Sequence, residues 1–444
     1  MIRLVSEGEM RKRNIDYIKT SYYINPNDAP LDEKRKIKIR AYELKIDKSH
    51  LNKNTKEQLN MMFLEAKWLL NYAISQDNIY DVDYKINKVP VKVRDVFEER
   101  DIKYLSSQMR QEIINRIKDN ITGLSETKKR GRKVGKLKFK SEISSIPLIQ
   151  YGNTYKILND KYVMIQGIKQ RIKVNGLEQI LDQMMDGIEI ASGVLIKRHE
   201  DYYIHVTTYI KEERVVPLRH IGLDFGISRQ ITLSNGISIE YSIPITKKIR
   251  KLYQKMSRQI LYSKNWHKTR DKLRKEFDRL NNIKDDIKNK IVHYLSDNYG
   301  IVCYQNENLK GWQYIWGGKI LSTAIGGIIS TLKTKVHTPV EIDRFFPSTK
   351  RCSKCRHEYD IGLNERVYSC KNEKCRNIMD RDWNSATNME NEGLKQLRMR
   401  VGTERIEFKP EEIRSSTSIL EYLNNIPYIE ASLIDDPGSL TTLE

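Results

Sequence analysis

The alternation of apolar and polar residues in the first half of the chain predicts strands on either side of a helical segment. Residues 36–46 (KIKIRAYELKI) alternate with the period of a half-buried strand. Residues 146–210 hold short apolar runs separated by Gly, Asn and Asp turns, which is typical of successive strands. Between them, apolar residues recur at helical spacing from Leu59 to Ala73, and a second helix is predicted over Ser106–Ile121. The pattern favours a β-barrel interrupted by a helical insertion.

The second half of the chain has a different hydrophobic pattern. The apolar segment IGLDFG (221–226) is followed by two short strands, which join at a predicted hairpin turn, Ser234-Asn235-Gly236. A long helical stretch at 246–296 precedes the apolar run IVCY (301–304). A helix at 319–335 and a strand at 339–345 are predicted next. The whole chain is therefore expected to be an α+β multidomain protein.

The charge of the chain indicates a polyanionic partner. Its 444 residues include 79 Lys+Arg against 58 Asp+Glu, a formal net charge of +21. Basic side chains gain affinity for nucleic acid mainly by releasing condensed counterions. Residues 128–140 hold eight Lys/Arg, and residues 247–290 hold 16 Lys/Arg against 5 Asp/Glu. A solvated loop and a solvated helix pair are the alternative interpretations. The candidate nucleic-acid contacts are Lys128, Lys129, Arg130, Arg132, Lys133, Lys136, Lys138, Lys140 and Arg274.

Four cysteines predict a metal site. Cys352 and Cys355 are separated by two residues, and Cys370 and Cys375 by four. This arrangement is typical of four-thiolate zinc sites, which are structural because no coordination position stays open. Cys303, in an apolar strand, is expected to pack in the core. We see no signal peptide and no apolar run of membrane-spanning length, so a reducing cytoplasm is the expected compartment.

Three acidic residues lie at strands or strand ends in apolar surroundings. Asp224 lies within IGLDFG, Glu307 follows the strand IVCY, and Asp382 begins a predicted helix in MDRDWNSATNM. Any one of these acids alone is more often structural or solvated. Carboxylates that converge from distant positions can hold two Mg²⁺ ions for phosphodiester hydrolysis. The three together therefore indicate a metal-dependent nuclease.

These segments resemble the TnpB family of transposon-encoded, RNA-guided nucleases and the related miniature type V CRISPR effectors. IGLDFG resembles the first RuvC motif of the family, NENLKGW the second and DRDWNSATNM the third, with RFFPSTKRCSKC leading into a zinc ribbon before the third acid. The resemblance implies that Asp224, Glu307 and Asp382, rather than Asp380, bind two Mg²⁺ ions. It implies one structural Zn²⁺ on the four cysteines. It also suggests an assisting basic residue near the ribbon, for which Arg351 (a further candidate nucleic-acid contact) and Arg344 are the candidates.

The sequence departs from the family pattern at the ribbon. Arg356 stands where a glycine usually follows the first cysteine pair, and the second pair has four intervening residues where two are usual. These departures leave the local geometry of the ribbon open, but not the identity of its ligands.

The resemblance also implies a domain plan, a set of partners and an activity. Its parts are a wedge β-barrel (35–50 and 125–215), a helical recognition lobe (51–124), an RNase H-like RuvC domain (216–345 and 379–400) and an inserted zinc ribbon (346–378). The polar sequence pattern adds an N-terminal extension (1–34), which has no clear counterpart in the family, and a C-terminal tail (401–444). The expected partners are a guide RNA and target DNA, with the protein a monomer or a homodimer on one guide and no membrane partner. The expected activity is RNA-guided cleavage of double-stranded DNA beside a short flanking motif. We expect a cytoplasmic, nucleoid-associated protein. An RNA-guided DNA binder without cleavage and an RNA-independent transposase or resolvase are the alternatives.

Overall fold

A computed structural model describes residues 37–93, 96–184, 188–211, 217, 219–241, 243–362, 365–401 and 416–434. The predicted N-terminal extension, 1–34, lies outside the described residues. The chain divides into two compact units, Met1–Arg214 and Val215–Glu444. Within the described ranges, no helix combines the length and the apolar character that a bilayer span requires.

The first unit contains nine strands and three helices among its described residues. The strands are β1 (Ile37–Ile46), β2 (Lys88–Val93), β3 (Val96–Asp101), β4 (Ser145–Leu148), β5 (Tyr155–Ile157), β6 (Tyr162–Ile165), β7 (Ile172–Asn175), β8 (Glu189–Arg198) and β9 (Asp201–Lys211). The helices are α1 (Lys53–Ser75), α2 (Ser107–Lys129) and α3 (Glu178–Met184).

Seven of these strands form one antiparallel sheet in the order β4-β8-β9-β1-β7-β6-β5. The sheet curls so that β5, at one edge, reaches β8 near the other edge, where the Tyr155 hydroxyl donates to the Ala191 carbonyl at 3.2 Å. The ring of Tyr155 fits against β8 at Gly193, where an added Cβ would lie 2.9 Å from the ring. The sheet is therefore nearly closed and barrel-like, as the alternating segments predicted.

Helices α1 and α2 pack on the core of this sheet. Asn52 caps α1 by accepting the Thr55 N–H at 2.7 Å, and Ser106 caps α2 by accepting the Met109 N–H at 3.3 Å. Helix α2 continues past the predicted end at Ile121, so Lys128 and Lys129 belong to its last turn.

Strands β2 and β3 form a hairpin between these two helices that the sequence pattern does not predict. Its residues are mostly exposed, so they carry no clear apolar alternation. The chain after the hairpin is tied to α1 by Glu65, whose carboxylate accepts the N–H groups of Lys103, Tyr104 and Leu105 at 2.9–3.1 Å.

The second unit contains eight strands and seven helices among its described residues. The strands are β10 (His220–Phe225), β11 (Ile231–Leu233), β12 (Ile237–Tyr241), β13 (Ile301–Gln305), β14 (Thr338–Ile342), β15 (Val367–Ser369), β16 (Ile378–Asp380) and β17 (Ile429–Leu433). The helices are α4 (Lys247–Ser257), α5 (Lys264–Asn298), α6 (Leu309–Trp316), α7 (Gly318–Leu321), α8 (Ile325–Lys335), α9 (Arg381–Val401) and α10 (Ser416–Asn424).

Six of these strands form a mixed sheet in the order β14-β13-β10-β11-β12-β17. Strands β10, β11 and β12 are antiparallel neighbours, whereas β13 and β14 run parallel to β10. Apolar residues of α4, α5, α8 and α10 share one core with the sheet, and α9 packs on β13 and β14 in a second core. The sheet therefore lies between two helical layers.

The C-terminal segment contributes to this sheet. The sequence places 401–444 in a peripheral tail, yet β17 pairs antiparallel with β12 from Ile429 to Leu433. Leu423 and Ile426 are buried in the core beside it. Asn424 clamps the strand by accepting the Ala431 N–H at 2.7 Å and donating to the Ala431 carbonyl at 3.0 Å. Residues 416–434 thus belong to the sheet domain.

Candidate functional site

Strand alternation places Asp224 on the face of the sheet that α9 covers. Side chains of a strand alternate between its two faces. In β10, Ile221 and Leu223 enter the large core, whereas Gly222 and Asp224 face the other way. The adjacent strand β13 alternates in the same manner, with Cys303 in the core beneath α9. Glu307 follows the end of β13, so Asp224 and Glu307 come from neighbouring parallel strands.

Two glycines allow α9 to lie directly on these strands. A Cβ on Gly222 would lie 2.1 Å from the Ala386 carbonyl oxygen and 2.7 Å from the Glu390 nitrogen. A Cβ on Gly393 of α9 would lie 2.3 Å from Cys303 Sγ. Because of this close approach, the Ser385 hydroxyl donates to Asp224 Oδ1 at 2.9 Å.

The charges of Asp382 and Glu307 act on the carboxyl group of Asp224. Burial, and then repulsion from Asp382 and Glu307, raise the pKa of Asp224 well above its ordinary value, although the Ser385 hydrogen bond and Arg381 oppose the rise. Burial raises the pKa of Glu307 to about 7. Carboxylates that are 83 and 158 positions from Asp224 in the sequence (307 − 224 and 382 − 224) thus lie near enough for their charges to act on it.

The two acids of the DRD segment have different surroundings. Asp380 Oδ1 accepts the N–H groups of Asp382 and Trp383 at 2.9 and 3.1 Å, and its Oδ2 lies 2.6 Å from Arg229 Nη1. Asp380 therefore caps α9 and neutralises an arginine. Asp382 is the acid whose charge acts on Asp224. Its own carboxylate lies 3.2 Å from Arg381 Nη2 and 3.6 Å from Arg366 Nη1.

The three carboxylates are spaced too widely for one shared ion. A group of side chains that could hold one ion has its ligand atoms within 4.8 Å of one another. Among the described residues, the four cysteines meet this criterion and the three acids do not. A site with two ions tolerates a wider spacing of the carboxylates. Its ions stand about 4 Å apart, and only a bridging carboxylate must contact both of them.

The four cysteines, in contrast, meet at one point. The Sγ atoms of Cys352 and Cys375 are 3.8 Å apart, and those of Cys355 and Cys370 are 3.5 Å apart. Four sulfurs at about 2.3 Å from a tetrahedral zinc ion would be separated by about 3.8 Å. The cluster is therefore of the size that could bind zinc, and much too wide for disulfide bonds.

The two cysteine loops have the same backbone geometry despite their different lengths. Cys352 N–H donates to the His357 carbonyl at 2.9 Å, and Cys370 N–H to the Asn377 carbonyl at 2.8 Å. Each second cysteine is followed by an arginine with positive φ, 63° at Arg356 and 46° at Arg376. Arginine thus adopts the conformation for which glycine is usual, and the four-residue spacing still gives an equivalent loop.

Two asparagines of α9 connect the cysteine cluster to the acidic site. Asn384 donates to the Arg351 carbonyl at 2.7 Å and accepts the Ser353 N–H at 2.9 Å. Asn388, one turn later, donates to the carbonyls of Ser348 and Arg351 at 2.8 and 2.6 Å. The chain that carries the first cysteine is therefore fixed to the helix that carries Asp382.

Comparisons with known proteins agree with this arrangement. The family model OrfB_IS605, described as "Probable transposase", matches residues 201–310, and the model "Cas12f1-like, TNB domain" matches residues 331–389. The chain is 28% identical over 92 residues to "Putative RNA-guided DNA endonuclease InsQ" of Escherichia coli (strain K12), an alignment that covers 19% of this chain and 22% of that protein. It is 27% identical over 187 residues to "Putative RNA-guided DNA endonuclease" of Streptomyces pristinaespiralis, covering 39% of this chain and 45% of that protein. These matches show that two segments of the chain, 201–310 and 331–389, are similar to TnpB-like and Cas12f1-like proteins.

The alignments with these curated relatives span less than half of either relative's length. A solved structure, "Cryo-EM structure of the Cas12f1-sgRNA-target DNA complex", aligns with this chain at 15% identity and a TM-score of 0.39, covering 64% of this chain and 71% of that one. That score is too low to establish a shared overall fold.

The basic residues predicted to contact nucleic acid are exposed. Lys128 to Lys140 form the end of α2 and an irregular segment, in which all eight lysines and arginines face solvent. Asn71 holds the end of this segment through two hydrogen bonds to the Lys140 backbone, at 2.8 and 2.9 Å. Arg274, on α5, is also exposed. Their role in binding nucleic acid stays a prediction.

The basic residues nearest the acids differ from those that the sequence suggested. Arg351 binds Glu358 and stacks on Phe346 at 4.9 Å, and Arg344 is exposed. Arg229, Arg366 and Arg381 instead lie within 4.0 Å of the Asp382 carboxylate.

Sequence reasoning also missed Ser385, Asn384 and Asn388. Their signal in the sequence is the spacing of small polar residues at 384, 385 and 388, one turn of a helix apart; the structure shows that all three are buried.

Proposed function

We propose that this protein is an RNA-guided DNA endonuclease whose acidic site comprises Asp224, Glu307 and Asp382. The observation that carries the proposal is the clustering of these three acids, where Asp382 and Glu307 repel the charge of Asp224. Holding like charges together in a partly buried site is unfavourable unless a cation or a proton neutralises them. The guide RNA and the DNA target are proposed by analogy with the named activity of the curated relatives.

The donor set fits hard divalent cations. Carboxylate oxygens are the ligands that Mg²⁺ prefers, and two such ions would supply activation of water and stabilisation of the leaving oxygen when bound. Ser385 would orient Asp224 through its 2.9 Å hydrogen bond to Oδ1. Arg366, which lies 3.6 Å from Asp382 and has a side chain 56% exposed, would be positioned to contact a phosphate of the bound strand.

The strand order supports an RNase H-like, RuvC-type domain. An antiparallel group β12-β11-β10 is extended by β13 and β14, which run parallel to β10. Asp224 is the penultimate residue of β10 and Glu307 lies two residues beyond β13, and ligands of mixed α/β sheets commonly bind near such strand ends. The cysteine cluster precedes the third acid, and its zinc would be structural.

A cleavage assay tests the proposal. The protein is purified together with the RNA from its native locus, and supercoiled plasmids carrying a matching target are incubated with it in Mg²⁺. We expect linear product from the wild type and none from Asp224→Ala or Asp382→Ala. Glu341→Gln is the matched control, since Glu341 is an exposed acid on β14 that pairs with Lys333 at 2.7 Å.

Two results would contradict the proposal in different ways. If the wild type binds the target without cutting it in any divalent cation, the protein is a guided binder. If sequence-specific cutting persists after the RNA has been digested, the enzyme is independent of RNA.

A further inference from the structure

The loop between β10 and β11 has a fixed shape. Gln230 is buried, and its side-chain amide donates to two carbonyls of the loop at 2.6 and 3.1 Å and accepts the Tyr241 N–H at 2.6 Å. Gly226 begins the loop, where an added Cβ would lie 2.5 Å from the Arg229 carbonyl oxygen. Because the buried glutamine ties the loop to the sheet, the residue before it, Arg229, leaves the loop in a defined direction.

Arg229 reaches from this loop to the start of α9. Its Nη1 donates to Asp380 Oδ2 at 2.6 Å and lies 4.0 Å from Asp382 Oδ2. The Arg229 side chain is 31% exposed and that of Asp380 is 10% exposed. A charge-assisted hydrogen bond that is partly shielded from water is screened less by salt than a pair on an open surface.

The other oxygen of Asp380 fixes the first turn of α9. Asp380 Oδ1 accepts the N–H groups of Asp382 and of the following residue at 2.9 and 3.1 Å. Asp382 therefore lies in a turn that Asp380 holds, and Asp380 is itself bound by Arg229. Asp224 lies in β10, five residues before Arg229. The same short segment thus contains one acid of the site and the residue that supports another.

We propose that Arg229 is a positioning residue, which acts through Asp380 to hold the Asp382 carboxylate where it can bind a divalent cation together with Asp224. This inference rests on the proposed nuclease function, to which it adds a residue that sets the metal affinity of the acidic site.

The alternative role for Arg229 is that of a counter-ion, whose positive charge only offsets the charge of Asp382. The two roles predict opposite effects on metal affinity when the charge of Arg229 is removed. Loss of a nearby positive charge strengthens the binding of a cation, whereas displacement of a ligand weakens it.

Two measurements on the full chain with its co-purified RNA report this affinity. The first is the Mg²⁺ concentration that gives half-maximal cleavage of a target plasmid. The second requires no cleavage of DNA, because Fe²⁺ with ascorbate and peroxide cuts the polypeptide beside a bound iron ion. The Mg²⁺ concentration that suppresses those peptide fragments that are absent from Asp224→Ala reports on the acidic site alone.

Arg229→Gln should raise both Mg²⁺ concentrations by about 10- to 100-fold, which is the usual effect of removing a residue that orients a metal ligand. Arg229→Lys should restore most of the affinity, because Arg229 binds Asp380 through a single nitrogen, which an ammonium group can replace. Glu240→Gln is the matched control. Glu240 Oε1 lies 3.7 Å from Arg229 Nε, its side chain is 47% exposed, and its loss should leave both concentrations unchanged.

Variants of Asp380 separate the ion pair from the helix cap. Asp380→Asn keeps an oxygen for the N–H groups of α9, so Tm should stay near that of the wild type while both Mg²⁺ concentrations rise as in Arg229→Gln. Asp380→Ala also removes the cap, and its Tm should fall. Because the two residues act through one contact, Arg229→Gln combined with Asp380→Asn should bind Mg²⁺ no more weakly than the weaker single variant.

The outcomes distinguish this inference from the nuclease proposal. An Arg229→Gln protein that cuts DNA at an unchanged or lower Mg²⁺ concentration would overturn the positioning role and leave the nuclease intact. Effects of the two single variants that multiply in the double variant would overturn it as well, as would an equal rise in Glu240→Gln. Iron cleavage of the polypeptide that depends on Asp224 and Arg229, in a protein that never cuts DNA, would support the positioning role and contradict the nuclease.

Discussion

Gly222→Ala tests whether the contact between β10 and α9 builds the acidic site. The added methyl group would lie 2.1 Å from the Ala386 carbonyl oxygen and 2.7 Å from the Glu390 backbone nitrogen. Carbon–oxygen contacts in proteins normally lie at about 3.3–3.6 Å, so the two backbones must separate by roughly 1.2 Å. Both atoms belong to a helix, which cannot yield by changing a rotamer.

The expected cost follows from that displacement. Inserting a methyl group into a packed core typically costs about 1–3 kcal/mol, and a unit of this size loses roughly 2–4 °C in Tm for each kcal/mol. The same shift moves Ser385 and Asp382 away from Asp224. Since misplacement by about 1 Å can reduce catalysis roughly 100-fold, cleavage should fall more than the stability does.

Thermal unfolding followed by circular dichroism, and plasmid cleavage well below Tm, measure the two effects. Gly123→Ala is the matched control, because a Cβ at that position in α2 meets nothing within 4 Å. An alanine in a helix interior is favoured over glycine by about 0.5–1 kcal/mol, so this control should not lower Tm. A Gly222→Ala protein with wild-type stability and cleavage would refute the role assigned to this contact.

Three further outcomes are expected. Leu423→Ala, at a fully buried position of α10, should lower the free energy of unfolding by about 2–5 kcal/mol in a urea titration. Leu433→Ala should change it little, because the Leu433 side chain on β17 is 48% exposed. Arg356→Gly should stabilise the cysteine cluster by about 1 kcal/mol, because glycine adopts a φ of 63° without strain. Release of zinc to a chelator should then require a higher urea concentration than in the wild type. The control variant Lys354→Gly should not raise that concentration. Prolonged chelation of the wild type should remove one zinc ion per chain, measured by atomic absorption, and should make residues 346–378 sensitive to protease; resistance of that segment after zinc removal would contradict a metal-dependent fold.

The local elements were largely predictable because their signals are local. The alternation of 36–46 appears as β1, and the helical spacing from Leu59 to Ala73 appears in α1. The hairpin β2–β3 was not predicted, because its residues are mostly exposed and its stability depends on backbone pairing. Strand β17 was not predicted, because its partner β12 lies 188 residues earlier in the chain (429 − 241) and a local hydrophobic pattern carries no information about so distant a partner.

The residues of the candidate site could be named from the sequence, but the contacts around them could not. Asp224, Glu307, Asp382 and the four cysteines can be named from motif order, since ligand chemistry limits which side chains serve. The arginines around Asp382 could not be named, because Arg229, Arg366 and Arg381 come from three separate segments that only the packing of α9 brings together.

The sequence by itself therefore determined the periods of the elements, the basic character of the chain and the identities of the metal-ligand candidates, because side-chain chemistry and nearest-neighbour spacing are written in it directly. Tertiary structure decided that Asp380 caps α9 and pairs with Arg229, how an arginine can occupy the glycine position of each cysteine loop, and that the C-terminal segment completes the sheet. Each of these depends on contacts between residues far apart in the chain, where the closeness of two backbones, as at Gly222 and Ala386, sets what the side chains can reach.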